Sequence, residues 1–193
     1  MNDKSKILEQ TLGRERIKFN EPLKYHFVNG VDSTAESLYI ATSLKELTQI
    51  LDLTRELDIP FFVFGAGTQA SIPEKLEGLV IKNRTSGIRI SGVKGKVSSR
   101  GIGVDEAMVE IESGVSLQKV NEFLKEQNLN QLNFPFITNS TVGGSLHTTS
   151  TLQDVTQKIK VFSDGEISDI EVYELGREDI ILSVIIKAKS SLK

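Results

Sequence analysis

The stretch Phe61-Phe62-Val63-Phe64-Gly65-Ala66-Gly67-Thr68-Gln69-Ala70 decides how this chain is read. Four aromatic and β-branched residues predict a short buried strand. It runs straight into Gly65-Ala66-Gly67, followed by a hydroxyl and an amide side chain. Glycines after a strand let the backbone turn with φ > 0 and bring bare N–H groups towards a ligand; such a nest suits a phosphate or pyrophosphate. The same residues also make an ordinary tight strand-to-loop turn. A Rossmann fingerprint is excluded, because no third glycine follows and Ser71-Ile72-Pro73 does not open a helix. No Lys-Ser/Thr pair closes the loop as a Walker motif would.

Working back from the glycines, Asp58-Ile59-Pro60 ends a helix that starts at Thr42-Ser43-Leu44-Lys45-Glu46. Ser43 is the predicted cap and Glu46, three residues on, its capping-box partner. Leu44, Leu47, Ile50, Leu51 and Leu57 recur at helical spacing and form its buried face. Ser37–Ala41 before it reads as a strand. Strand–helix–strand predicts a parallel pair with a right-handed crossover, which puts the glycine turn at the carboxyl end of a strand, the ligand-facing edge of such units. Earlier still, Asn29–Thr34 is a turn cluster, Glu21–His26 is extended, and residues 1–20 are an N-terminal extension with a short helix around Ile7–Leu12.

Working forward, the pattern changes after Pro73. Gly78–Lys82, Gly87–Ile90, Lys96–Arg100 and Ala107–Ile111 read as short strands, with Val93-Lys94-Gly95-Lys96 a hairpin tip. Ser113-Gly114-Val115-Ser116 precedes a second amphipathic helix with Leu117, Val120, Phe123 and Leu124 inward. Phe134–Ile137 leads to another glycine-rich segment, Thr138–Ser150, whose core is Thr141-Val142-Gly143-Gly144-Ser145. It reads equally as a polar surface loop or a second place where backbone meets ligand. Val155–Phe162, Ile167–Tyr173 and Ile180–Lys187 are closing strands, with Ser163-Asp164-Gly165-Glu166 a hairpin turn.

Composition narrows the classes. At 193 residues the chain is long enough for a real core, and a net charge of −3 with no dense basic stretch argues against a nucleic-acid surface. The absence of cysteine excludes disulfides, thiolate metal sites and cysteine nucleophiles, and two separated histidines make no metal cluster. Nothing approaches a membrane span and the N-terminus leads into no apolar signal core, so a cytoplasmic protein is expected.

Taken in order, these features resemble the UDP-N-acetylenolpyruvoylglucosamine reductase (UDP-N-acetylmuramate dehydrogenase) family, within the FAD-binding fold shared with vanillyl-alcohol oxidase and p-cresol methylhydroxylase. Glu21-Pro22-Leu23-Lys24-Tyr25 is similar to that family's opening segment, and Phe64–Gln69 stands where it has a Gly-x-Gly-Ser-Asn turn. Gly78–Ile81 resembles the next strand, and Glu112-Ser113-Gly114-Val115 its Ala-Gly step. Thr141–Ser145 resembles its Thr-Val-Gly-Gly-Ala, and Ile180–Val184 its closing strand. The resemblance implies an α+β fold of two lobes, a small parallel βαβ lobe over 21–75 and a larger, mainly antiparallel lobe over 76–193, with FAD between them. It implies that Gly65, Ala66, Gly67, Thr68 and Gln69 bind the FAD pyrophosphate. Gly114, Thr141, Val142, Gly143, Gly144 and Ser145 would lie along the flavin and its phosphoribityl chain. FAD would be held non-covalently, since no cysteine or flavin-linking histidine motif is present.

The departures are equally specific. The family's Tyr-Arg-x-Ser stretch is not reproduced by Tyr173–Asp179, and Arg177 reads as a solvated turn residue. His147-Thr148-Thr149-Ser150 replaces the family's Asn-Ala-Gly, and the family's substrate domain, with its serine proton donor, is expected to be absent. No catalytic residue or metal ligand is therefore assigned. The expected function is an FAD-binding, oxidoreductase-like module of peptidoglycan precursor synthesis, dependent on a separate substrate-binding domain or protein. The alternatives are a flavin-free homologue serving as a structural or regulatory partner, and a binder of another nucleotide.

Overall fold

The computed structural model describes residues 3–28, 30–68, 72–98, 101–134 and 140–191. The chain divides into two compact units, residues 1–85 and 86–193.

The first unit contains helix α1 (Asp3–Leu12), strand β1 (Ile17–Pro22), β2 (Thr34–Ala41), helix α2 (Leu44–Glu56), β3 (Phe61–Phe64) and β4 (Lys75–Asn83). Leu8 anchors α1 by burying its side chain, so the N-terminal extension is packed. Ser43 caps α2 and accepts from the Glu46 N–H at 3.2 Å. The reciprocal half of the expected capping box is different: the Glu46 carboxylate accepts from the Thr42 amide at 2.8 Å and hydroxyl at 2.9 Å. It also takes two guanidinium N–H groups of Arg16, at 2.6 and 3.1 Å. Leu47, Ile50, Leu51 and Thr54 form the buried face of α2.

The four strands order as β1-β2-β4-β3, with β1 antiparallel to β2 and the other pairs parallel. Strands β2 and β3 therefore run parallel without being neighbours, because β4 lies between them. Leu79, Val80 and Ile81 explain this: three consecutive residues with no exposed surface need covering on both faces, which only an interior strand receives. Phe61–Phe64, read as a buried strand, is an edge strand; only Phe64 is buried and Phe61 is 37% exposed. Since β4 completes this sheet, the division falls after Thr85 rather than near residue 75.

The second unit contains β5 (Ile88–Ser98), β6 (Gly101–Glu112), α3 (Leu117–Glu126), α4 (Val142–Leu146), α5 (Ser150–Val155), β7 (Thr156–Ser163), β8 (Glu166–Ile170) and β9 (Ile180–Lys189). Its strands order as β5-β6-β9-β7-β8, every neighbour antiparallel. No hairpin tip forms at Val93–Lys96: β5 runs through it, absorbing the irregularity as register shifts at Ile90/Gly92 and Lys94/Gly95. A Cβ at Gly95 would overlap the Gly103 carbonyl, so this glycine serves close strand approach, not a turn. Ser99 and Arg100, assigned to a separate strand, lie outside the described residues. The Asp164-Gly165 turn is as expected, with φ of +51° and +83°. Ser116 caps α3 by accepting from the Lys119 N–H. Leu117, Val120 and Leu124 bury against Ile111, Leu146, Leu152, Ile159 and Val184, with Phe123 partly buried beside them. Among the described residues, no helix is long and apolar enough to cross a membrane.

Candidate functional site

The first glycine segment leaves β3 at Phe64. Gly67 is buried with φ +68°, and a Cβ there would overlap the ring of Phe27. That ring stacks on Phe64 at 4.3 Å between centroids, 20° from parallel. Phe27 thus fills the space where Gly67 has no side chain, and it belongs to the core of Leu23, Ala35, Leu38, Phe64 and Val80. The Ala66 carbonyl faces this loop and accepts from the Val28 N–H at 3.3 Å. Among the described residues, no group accepts from the Ala66 or Gly67 N–H. Two adjacent amides beside a left-handed glycine have donors to offer an anion, the chemistry a phosphate cradle requires. Thr68 already has an interaction within the protein. Gln69 lies outside the described residues.

The floor of this turn carries charge that its sequence did not single out. Lys82, on β4 opposite Phe64, donates to the His26 carbonyl at 2.8 Å, with Nζ 5.7 Å from the Phe64 ring centroid. Burial and, secondarily, the neighbouring Arg84 lower its pKa. His26 Nε2 lies 2.9 Å from the Glu21 carboxylate, which also receives Lys18 at 3.2 Å. Those contacts, the His26 bond first, pull the Glu21 carboxyl below its ordinary pKa. A lone lysine ending the apolar run Gly78-Leu79-Val80-Ile81 was the signal for Lys82. Phe27, forty residues before Gly67, carried none.

The second glycine segment opens helix α4 instead of a loop. Thr141 caps it, buried, accepting from the Gly144 N–H at 3.5 Å. The Val142 amide donates to Val115 O at 2.8 Å and the Gly143 amide to Ser113 O at 2.9 Å. The Ser145 amide donates to Thr141 O at 2.9 Å. A Cβ at Gly143 would sit 2.9 Å from that of Ser113, so Gly143 lets α4 dock on the Ser113-Gly114-Val115 step after β6. The structure therefore brings the Ser113-Gly114-Val115 step together with Thr141–Ser145. It commits the amides of Val142, Gly143, Gly144 and Ser145 internally. Gly144 is exposed, and Val142 and Ser145 are buried. His147 is exposed after α4, and Arg177 is exposed in the loop before β9. No group of three metal-ligating side chains occurs among the described residues.

These two glycine segments sit in a chain whose residues 35–161 match the FAD binding domain family. The UDP-N-acetylenolpyruvoylglucosamine reductase of Syntrophomonas wolfei is 25% identical over 83% of this chain and 52% of its own length. That of Caldanaerobacter subterraneus is 28% identical over 82% of this chain and 50% of its own. The chain thus spans about half the length of the curated relatives it matches. Among solved structures, alkyldihydroxyacetonephosphate synthase superposes with a TM-score of 0.69 over 98% of this chain and 42% of its own, at 14% identity. That likeness places the α+β architecture, a small lobe with parallel strands and a larger antiparallel one, in the p-cresol methylhydroxylase type. With two thirds of its length matched, Gly65–Thr68 and Thr141–Ser145 included, the chain belongs to the family of FAD-binding domains, and its cofactor is FAD.

Proposed function

We propose that this chain is the FAD-binding module of a reductase similar to UDP-N-acetylenolpyruvoylglucosamine reductase, and that Gly65–Gln69 receive the cofactor's pyrophosphate. The observation that carries this is the pair of Ala66 and Gly67 amides without a protein acceptor among the described residues, beside a glycine whose missing side chain is replaced by Phe27. A dianionic pyrophosphate satisfies such amides through charge-assisted hydrogen bonds. Gly114 and Thr141–Ser145 line the flavin in this reading. Because the four amides of Val142–Ser145 are bonded internally, their part is to supply surface at close approach, with the exposed Gly144 the point of nearest backbone. When bound, FAD supplies the hydride chemistry; the protein binds and orients it. The module works in the cytoplasm with a separate substrate-binding domain or protein.

Titrating the flavin-free protein with FAD, followed by flavin fluorescence and denaturation, tests the reading. Binding with release of free flavin on denaturation is expected; yellow polypeptide after denaturation contradicts a non-covalent site. These 193 residues alone are not expected to turn over UDP-N-acetylenolpyruvoylglucosamine with NADPH. Reducing an enol ether requires a proton donor held within hydrogen-bond distance of carbon, a contribution of about 10²–10⁴ in rate. Both Arg177 and His147 are exposed, and among the described residues no side-chain contact holds either for that role. Robust anaerobic multiple turnover would overturn this, with His147 the first residue to replace.

A second reading is favoured by the same committed amides: a homologue that keeps the fold as a structural or regulatory partner, without flavin. An unchanged melting temperature in saturating FAD selects it.

A further inference from the structure

Lys82 ends the apolar run of β4, and two-residue alternation puts its side chain on the same sheet face as Val80, with Phe27 and Phe64. Its ammonium, the His26–Val28 loop and the Gly65–Gly67 turn are one packed cluster. Lys82 bonds the His26 carbonyl, Phe27 fills the space beside Gly67, and the Val28 amide bonds the Ala66 carbonyl. An ammonium has three donors, and a single protein bond to Lys82 occurs among the described residues. No carboxylate among them lies within ion-pair distance of Nζ, and the neighbouring charge is another cation, Arg84. The carboxylate that meets this loop, Glu21 at the end of β1, is already held by His26 and Lys18.

A half-buried cation without a counter-ion is unfavourable unless something supplies the opposite charge. The Ala66 and Gly67 amides have the same deficit, donors without acceptors among the described residues. One anion relieves both. We propose that Lys82 is the counter-charge of the diphosphate seated on the Ala66–Gly67 amides, so that the site combines a backbone nest with one half-buried ammonium. This rests on the cofactor reading above for the diphosphate's identity, and on the cluster alone for its charge.

The test compares the parent with Lys82→Met, which keeps the apolar stem, and Lys82→Arg, which keeps the charge. The probes are inorganic pyrophosphate, FAD and riboflavin. Losing one charge-assisted contact should weaken pyrophosphate and FAD about tenfold to a hundredfold in Lys82→Met and flatten the salt dependence of binding. Riboflavin, which has no phosphate, should bind the parent and Lys82→Met alike, and Lys82→Arg should stay close to the parent for all three. Should Lys82→Met not fold, the parent decides: pyrophosphate should slow modification of the Lys82 amine by an acylating reagent, read by mass spectrometry. Pyrophosphate affinity unchanged in Lys82→Met, equal loss of riboflavin, or no protection of the amine each overturns the proposal. Pyrophosphate held through Lys82 while FAD is not bound removes the cofactor reading and leaves Lys82. FAD held equally by parent and Lys82→Met does the reverse. A parent that binds neither removes both.

Discussion

Gly67 and Gly78 both adopt left-handed φ where a Cβ has no room, but for different ends. At Gly67 the obstruction is the Phe27 ring, and at Gly78, φ +77°, it is the Pro60 carbonyl. That carbonyl accepts the Leu79 N–H at 2.9 Å. Gly78→Ala should therefore lower stability by about 3 kcal/mol or more, combining left-handed strain with overlap onto backbone; urea unfolding measures it. Gly67→Val should abolish FAD binding, because its branched side chain displaces the ring and the turn with it. Retained flavin affinity in that variant would remove the phosphate-cradle assignment. The turn at Gly67 was legible because a glycine three residues past a strand marks a turn that a side chain would obstruct. Phe27 was not, and Lys82 showed only as a charge ending an apolar run, a signal whose meaning appears once the fold joins the two.

Among elements, α2 shows what spacing reveals and what it misses. Ser43 followed from the capping motif, and the buried Leu47, Ile50 and Leu51 from periodicity. The partner of Glu46 did not, because Arg16 is thirty residues away on the loop entering β1. That guanidinium, first of all, together with the Thr42 bonds holds the Glu46 carboxyl at about 2, down from an ordinary 4.5. A lowered folded-state pKa favours the folded state wherever the carboxylate is ionised. The stabilisation is thus complete above pH 4.5 and is lost as pH falls towards 2. Allowing for solvent screening, it amounts to about 1–2 kcal/mol. Glu46→Gln should remove that much at neutral pH and flatten the acid limb of stability between those values, as read by denaturation at successive pH. Ser43→Ala should lower stability by about 1 kcal/mol at any pH. The strand order was the least legible part. Phe61–Phe64 is more aromatic than Leu79–Ile81, yet it occupies the edge, and only the unbroken burial of the latter identifies the interior strand.

For the molecule as a whole, the sequence conveyed a small parallel βαβ lobe followed by antiparallel strands, but neither the antiparallel β1 nor where each sheet closes. Amide exchange should be slowest at Leu79–Ile81 in the first unit and Val184–Ile186 in the second, and fastest along β8, whose residues face solvent. The reverse order would contradict the assigned interior strands. The position of β9 has a further consequence for how the protein is made. Strand β9 leaves a ribosome after the other four strands of its sheet, yet it joins β6 to β7 in the middle of that sheet. Until Ile180–Lys189 emerge, the β5–β6 and β7–β8 hairpins are two halves with open edges, each able to recruit a strand from a neighbouring nascent chain. A chain stopped at Asp179 should give a protease-resistant piece near residues 1–85 and a degraded remainder, whereas the first unit already holds all its strands by Asn83.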